Sequence, residues 1–372
     1  MEKKLQELSP YLQCPLTQQS LRVMNEEEIE SLNERIAEKK LVSLAGVAIE
    51  KLIDAAFISL DGNFAYPIVE GIAIFLPNQG FIVRDEALDR ITLNKNQLKE
   101  NVQNFYDELG WQQEEENYVD ALLFEDLRAV SQDYIHQCHL RINRHLKDVG
   151  KYILDAASGP IQYPEYLTYS QNFEHRICVD ISFRALQEAK RKLGDKGIYI
   201  LADITNLPIK ENSLDNAVSL HTIYHVPENE QSKAIAELSR VIKSDAAAII
   251  IYDWGKHSLA MNFTDLPYKV ISKLRGAYQS ILNRNERKNT KNSQPTLYYY
   301  PHTYKWIMEQ ANQLNLNIDI FSWRSVSVFF MRSYIYQWLW GKQILKLIYL
   351  LEEKFPKLTG RFGRYPMLII QK

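Results

Sequence analysis

Cysteine is scarce in this chain, and the scarcity excludes two things. The 372 residues hold three, Cys14, Cys138 and Cys178, far apart and odd in number, so no disulfide framework can be drawn. Structural zinc takes about four Cys or His ligands. Residues 1–80 offer only Cys14, with Thr17 where a Cys-Pro-x-Cys pair would place its second thiol, and no metal is expected. Long apolar runs are missing too: nothing reaches the roughly 18 residues of a spanning helix. The opening Met-Glu-Lys-Lys-Leu-Gln-Glu-Leu has no signal-like apolar core, and a cytoplasmic location is expected. Neither sign of charge dominates. With 44 Lys and Arg against 46 Asp and Glu, the composition gives no basic footprint for nucleic acid.

What is present is a repeated local pattern, an apolar strand ending in an acid. Tyr152-Ile-Leu-Asp155 runs into the small-residue turn Ala156-Ala157-Ser158-Gly159, Arg176-Ile-Cys-Val stops at Asp180, and Tyr199-Ile-Leu-Ala stops at Asp203. In a doubly wound parallel sheet, ligands sit beyond the carboxyl ends of the strands where strand order reverses, and an acid about 20 residues after the first turn takes ribose hydroxyls. Asp180 stands in that position. A turn whose backbone approaches a ligand needs residues without bulk at its tip, and residues 156–159 supply them. A single glycine followed by Pro160-Ile-Gln-Tyr suits a cofactor without phosphates better than a dinucleotide, whose pyrophosphate rests on a glycine-opened helix.

Further along come Asp180-Ile-Ser, Ala202-Asp203-Ile-Thr-Asn-Leu-Pro, Ser213-Leu-Asp-Asn-Ala-Val-Ser-Leu-His, Tyr224-His-Val-Pro and Leu238-Ser-Arg-Val-Ile-Lys. In that order and at those spacings, residues from about 150 to 255 resemble the class I S-adenosylmethionine-dependent methyltransferases. Of the family's Asp-x-Gly-x-Gly-x-Gly fingerprint the middle glycine, Gly159, is kept; Ala157 and Ile161 hold the outer positions, and a somewhat different loop path is expected. The resemblance implies a doubly wound, seven-stranded, Rossmann-like α/β sheet in residues 151–372. It also implies S-adenosylmethionine as cofactor, with S-adenosylhomocysteine as product. The implied cofactor site comprises Asp155, Ala156, Ala157, Ser158, Gly159, Asp180, Ile181, Asp203, Ile204 and Ser219, with Asp180 on the ribose, Asp203 on the adenine amino group and Ile204 against the ring.

The family's reactive edge is the end of the fourth strand and the loop after it, here Ser219 to Val226. His221 is expected to act as general base or to orient the acceptor, followed by His225 and Tyr224, because an imidazole titrates near neutrality and can take a hydroxyl proton. The plainer reading of His225 is packing and hydrogen bonding within its loop. Helices in residues 95–150 are implied to close over the site, offering Tyr106, Tyr134, His136 and His139. His136 and His139 share one helical face and are read as structural or pocket-lining rather than metal-binding. On the substrate side stand Asp253 and Trp254, with Tyr298, Tyr299, Tyr300 and His302.

Residues 1–80 differ in texture. A helix near Asn25–Lys40 precedes short β runs, and Asp61-Gly62 between apolar stretches is a hairpin signal. Through Leu12-Gln-Cys-Pro-Leu and Tyr66-Pro-Ile-Val-Glu-Gly-Ile-Ala-Ile-Phe-Leu-Pro, this segment resembles the small zinc-ribbon-like activator domain of tRNA- and ribosome-modifying methyltransferases, with the zinc ligands lost. A small metal-free α+β domain packed on the catalytic one is expected. Two insertions interrupt residues 151–372. The first, about 256–300, carries the polar run Asn283–Ser293, read as a solvated loop or a basic substrate patch. The second, about 329–364, has an apolar, aromatic core from Tyr334 to Leu351 that fits a packed helical lid or a helix in a membrane interface. Aromatic additions suit a small-molecule or glycan acceptor, lipid-linked in one version, methylated on a hydroxyl. The alternatives are an RNA methyltransferase and a non-catalytic cofactor-binding protein. The sequence sets no oligomeric state.

Overall fold

The computed structural model describes residues 2–84, 96–114, 117–267 and 297–372; the polar run Asn283–Ser293 lies outside them. Short strands come first: β1 (Leu21–Val23), β2 (Ala55–Ser59), β3 (Phe64–Val69), β4 (Ile72–Ile74) and β5 (Phe81–Ile82). Then follow β6 (Gly150–Ala156), β7 (Phe173–Asp180), β8 (Gly197–Leu201), β9 (Leu214–Leu220), β10 (Ile242–Ile251), β11 (Asn317–Arg324) and β12 (Tyr365–Gln371). The helices are α1 (Glu2–Leu8), α2 (Glu26–Ala37), α3 (Gln97–Phe105), α4 (Val119–Phe124), α5 (Gln132–Leu140), α6 (Pro164–Thr168), α7 (Phe183–Leu193) and α8 (Gln231–Val241). They continue with α9 (Leu259–Thr264), α10 (Tyr304–Gln313), α11 (Val328–Tyr334), α12 (Gly341–Lys354) and α13 (Pro356–Phe362).

These twelve strands form one sheet, ordered β1-β2-β3-β4-β8-β7-β6-β9-β10-β12-β11, with β5 on β3, and Gln113–Glu114 pairs with Asn117–Tyr118 in a separate two-stranded sheet. Seven of the twelve, β6 to β12, lie in residues 150–371, and the other five come from the N-terminal residues. β4 pairs in parallel with β8, Tyr199 opposite Ile72 and Leu201 opposite Ile74, and the N-terminal strands extend the sheet from there. The physical reason is the edge of β8, which would otherwise present unpaired amides and carbonyls. From β4 to β10 neighbours run parallel, whereas β12 and β11 are antiparallel. Strand order reverses at β6: the chain steps outward to β7 and β8, then returns to β9 on the other side. A crevice therefore opens beyond the carboxyl ends of β6 and β9.

Because both faces of the central strands are covered, their apolar residues run continuously instead of alternating with polar ones. Tyr152, Leu154 and Ala156 of β6 enter one core with Val179 and Ile200, and Ile153 enters the other with Cys178 and Leu201. The first core also takes Leu5 and Leu8 of α1, Leu12, Cys14, Phe57 and Tyr66, so the N-terminal residues and the sheet share one interior. Cys14 is buried with its Sγ 3.2 Å from Tyr66 Oη. Among the described residues, no group of three or more His, Cys, Asp or Glu is arranged to hold a metal ion.

Local signals act as their chemistry dictates. β2 and β3 form the hairpin around Asp61-Gly62; the Asp61 carboxylate accepts from Ser59 Oγ at 2.5 Å, and Gly62 takes a φ of +73°, open to a residue without Cβ. α2 begins at a capping box of Asn25 and Glu28. α7 matters more for the site, since two residues separate it from the tip of β7. Ser182 Oγ accepts from Ala185 N at 3.1 Å, a cap worth about 1 kcal/mol. The helix buries Ala185, Leu186 and Ala189 and carries Lys190, Arg191 and Lys192 in its last turn, where cations suit the helix dipole.

Candidate active site

A cavity of about 640 Å³ lies beyond the strand tips. One wall is the turn after β6, where Ala157, Gly159 and Ile161 all take left-handed φ, at +58°, +55° and +52°. All three fingerprint positions have a glycine-favoured backbone, with glycine at only one. Such a φ costs a residue with a Cβ roughly 1–2 kcal/mol, and it persists here because the surroundings fix the turn. Ala157 N and Ser158 N both donate to Val179 O, at 2.7 and 3.1 Å, and Gly159 N donates to Asp180 Oδ2 at 2.8 Å. A Cβ on Gly159 would stand 3.1 Å from the Trp111 ring, which stacks on Tyr106.

Asp180 also accepts from Ser182 N through Oδ1, at 2.8 Å. Burial nevertheless pushes its carboxyl up to about 6, against those two bonds. Each carboxylate oxygen keeps a second lone pair for a ligand. Asp203 accepts from Thr205 N at 2.8 Å and from Lys99 Nζ at 2.6 Å, and Lys99 reaches Glu230 as well. Gln103 Nε2 donates to Ile181 O at 2.8 Å. These bonds tie α3 to the tips of β7 and β8.

The facing wall follows β9. His221 has a φ of +57°, uncommon for a residue with a ring, and left-handed non-glycine residues concentrate where strain serves a site. Its Nδ1 lies 3.1 Å from Tyr224 Oη and its ring packs edge-on to Trp323. Burial, and then the charge of Arg324, hold the imidazole well below its usual range. Burial likewise lowers His225 to about 4, against a 2.7 Å bond from its Nδ1 to Tyr298 O. Both rings are neutral at pH 7. Around them charges are matched in pairs: Arg324 Nη1 donates to both Glu125 oxygens at 2.7 and 2.8 Å. Arg364 Nη2 donates to Asp253 Oδ2 at 2.9 Å, and Tyr299 donates to the same oxygen at 2.7 Å.

Of the residues singled out by sequence, Ala157, Ser158, Gly159, Asp180, Ile181, Asp203, Ile204, His221, Tyr224, His225 and Asp253 line this one cavity, as do Tyr106 and Tyr299. Others stand elsewhere. Asp155 is buried in an ion pair with Arg176, and Ala156 belongs to the core. Ser219 is buried in β9 with its Oγ unpartnered among the described residues. Tyr134 is buried and donates to Glu352 at 2.7 Å. His136 and His139 both meet the Glu165 carboxylate; His139 is buried and stacks on Trp323 at 5.5 Å, while His136 is exposed. Trp254 donates its Nε1 to Gly360 O at 2.8 Å. Tyr300 holds the loop through its amide, donated to Tyr224 O, and His302 stacks on Trp306.

Sequence reading missed Lys99, Trp111, Glu125, Tyr163, Tyr166, Arg324, Arg364 and Tyr365, all in the cavity wall. For Tyr163 and Tyr166 the signal was available, since they follow the Gly159 turn directly. Arg324 and Arg364 sit at the end of β11 and the start of β12, where nothing local marks them.

Residues 154–250 match the family model described as a methyltransferase domain. These residues are a methyltransferase domain. Its cofactor is S-adenosylmethionine, and the Asp180 carboxyl and the left-handed turn fit that group, offering an acceptor for hydroxyls and a close backbone approach. An uncharacterized methyltransferase of Geobacillus sp. (strain WCH70) is 32% identical over 57 residues, 15% of this chain and 27% of that protein, so the chain spans about a quarter of this curated relative. Among solved structures, the Burkholderia thailandensis 1,6-didemethyltoxoflavin-N1-methyltransferase aligns at 10% identity and a TM-score of 0.40, covering 84% of this chain and 97% of that one. The Haemonchus contortus phosphoethanolamine N-methyltransferase 2 aligns at 14% and 0.37, covering 63% and 52%. Likeness this loose carries no information about substrate.

Proposed function

We propose that the whole chain is an S-adenosylmethionine-dependent methyltransferase acting on a hydroxyl of a small molecule or glycan. The observation that carries this reading is the sharing of one cavity by two unlike walls, the turn with Asp180 on one side and His221 with Tyr224 on the other. Bound there, S-adenosylmethionine supplies a methyl group on a sulfonium, a leaving group already activated. Asp180 accepts the ribose hydroxyls, Asp203 faces the adenine amino group, and Ile181 and Ile204 cover the ring. Trp111 and Tyr106 exclude water from above Gly159.

The work left to the far wall is positioning. With Nδ1–H donated to Tyr224, His221 presents Nε2 as an acceptor to the substrate hydroxyl. A neutral, desolvated imidazole is a weak base, and this suffices. Once methylated, the acceptor oxygen would hold a strongly acidic proton, which His221 Nε2 is placed to take. Matched ion pairs keep this wall near neutral, which supports an uncharged acceptor, and its phenols suit a ring or sugar face. Residues 1–80 are, in the same proposal, an activator-like domain without metal; the support is their shared core with the sheet. Calorimetry with S-adenosylhomocysteine tests the reading: the wild-type chain binds, and Asp180→Ala weakens binding by about tenfold or more, as loss of charged hydrogen bonds requires. No uptake by the wild type overturns it.

A further inference from the structure

The 329–364 insertion packs on the body with one side and leaves the other open. α12 buries Gly341, Leu345 and Glu352, and Glu352 accepts from Tyr134 at 2.7 Å and from Arg141 at 2.9 Å. A flanking face carries Ile344, Leu347 and Leu351 at helical spacing, all exposed. Just ahead of it, Trp338 and Trp340 are 76% and 75% exposed, Trp340 with a φ of +58°. Apolar surface of this extent on a folded chain marks an interaction site.

Charge says which kind. The insertion has two acids, and neither is available: Glu352 is buried, and Glu353 is held by Arg141 and Arg144 at 2.9 and 2.6 Å. Lys342, Lys346, Lys354, Lys357 and Arg361 border the apolar residues, and where Lys342 and Lys357 have acid partners, Asp133 and Asp319, the pairs are solvent-exposed and weak. A second copy laid on this face would set lysine against lysine, a like-charge contact that costs affinity. An anionic surface complements it. α12, at 14 residues, is a helix for lying in an interface, and among the described residues no helix is long and apolar enough to cross a membrane. The face is also continuous with the cavity through α11, whose Val328 and Arg332 line it, facing Leu123 and Phe124 at the lip.

We propose that this face docks on an anionic lipid bilayer, with Trp338 and Trp340 at headgroup level and Lys346 and Lys354 on the anionic headgroups. The cavity mouth then opens at the membrane, and the acceptor is met there. Docking does not rest on the methyltransferase reading; delivery of an acceptor does.

Flotation of the full chain with vesicles tests it. The chain floats with phosphatidylcholine vesicles containing phosphatidylglycerol, in a salt-sensitive manner, and much less with phosphatidylcholine alone. Trp338→Ser with Trp340→Ser lowers partitioning by about tenfold or more, and Lys346→Glu with Lys354→Glu removes the preference for the anionic lipid. S-adenosylhomocysteine binding, measured in parallel, stays at the wild-type level in every variant, which shows them folded. Absence of flotation, undiminished flotation of the tryptophan variant, or a concentration-dependent doubling of mass that this variant abolishes, the mark of a second copy, overturns the proposal. Flotation without cofactor binding strikes the methyltransferase reading and leaves this one standing.

Discussion

The two walls of the cavity are built on opposite plans. The cofactor wall is framed by main chain, a turn and three strand tips with their amides, to which Asp180 and Asp203 add carboxylates, contributed by residues close in sequence and ordered by strand succession. The acceptor wall is side chain, drawn from α4, the loop after β9, the end of β11 and the start of β12, and held by ion pairs such as Glu125 with Arg324 across 199 positions. A backbone-built wall stays the same under most substitutions, whereas a side-chain wall can change its shape and polarity one residue at a time. This division suits a protein that binds one fixed cofactor and one variable acceptor.

Substitutions that separate the walls sharpen the contrast, and the largest effect is expected at the reaction itself. His221→Asn, with a residue tolerant of left-handed φ, should lower turnover by about 10²–10⁴-fold, the usual range for removing a proton acceptor, while S-adenosylhomocysteine affinity stays near wild type. A parallel loss of both would return His221 to a purely structural role. Next comes the support of the acceptor wall. Arg324→Ala leaves a buried carboxylate unpaired and should cost about 3–5 kcal/mol in urea unfolding. Combining Glu125→Leu with Arg324→Met should recover most of that, since a neutral pair removes the unpaired charge. If the double variant is no better than the single, the pair is not what holds the wall.

The same division explains what could be read from the sequence. Asp180, Asp203 and the 156–159 turn were legible because strand ends and turns are local signals, and the fold's topology does the rest of the positioning. Arg324 and Trp111 were not legible, because a side chain's arrival in a cavity depends on packing over long chain separations. The three acids were read as equals, yet Asp155 is spent on Arg176. Nothing at position 155 distinguishes a buried ion pair from a ligand contact until the basic partner on the neighbouring strand is seen. The join of β4 to β8 was also hidden, since short apolar runs do not state which edge they will pair with.

A smaller effect uses pH to address the cofactor wall alone. Burial raises the Asp180 carboxyl to about 6, with Asp107 and Asp155 adding repulsion. Below that pH the folded protein holds a proton there and loses the anionic acceptor for ribose hydroxyls. Affinity for S-adenosylhomocysteine should be flat above pH about 6 and fall by up to about tenfold per unit beneath it; Asp180→Asn should abolish the slope. The sign for folding is the reverse. A raised carboxyl binds its proton more tightly folded than unfolded, so the contribution of Asp180 to stability grows as pH falls through 6. Weaker binding below pH 6 therefore cannot be ascribed to unfolding at this group, and an affinity that does not change between pH 5 and 7 would falsify the assignment of Asp180.

The smallest effect lies within the turn, where two neighbouring positions should respond with opposite sign. At Ala157, φ is +58°; glycine removes the Cβ clash of roughly 1–2 kcal/mol but adds freedom to the unfolded chain worth about 0.4–1 kcal/mol. Ala157→Gly should therefore stabilise by somewhat less than about 1 kcal/mol in thermal unfolding. At Gly159 the same arithmetic runs backwards, and a methyl group would also press on the Trp111 ring, so Gly159→Ala should destabilise by about 1–2 kcal/mol and weaken cofactor binding by moving Trp111. If both substitutions destabilise, the left-handed backbone at residue 157 is not strained, and the loop keeps its shape through the Val179 and Asp180 hydrogen bonds at no cost to the alanine.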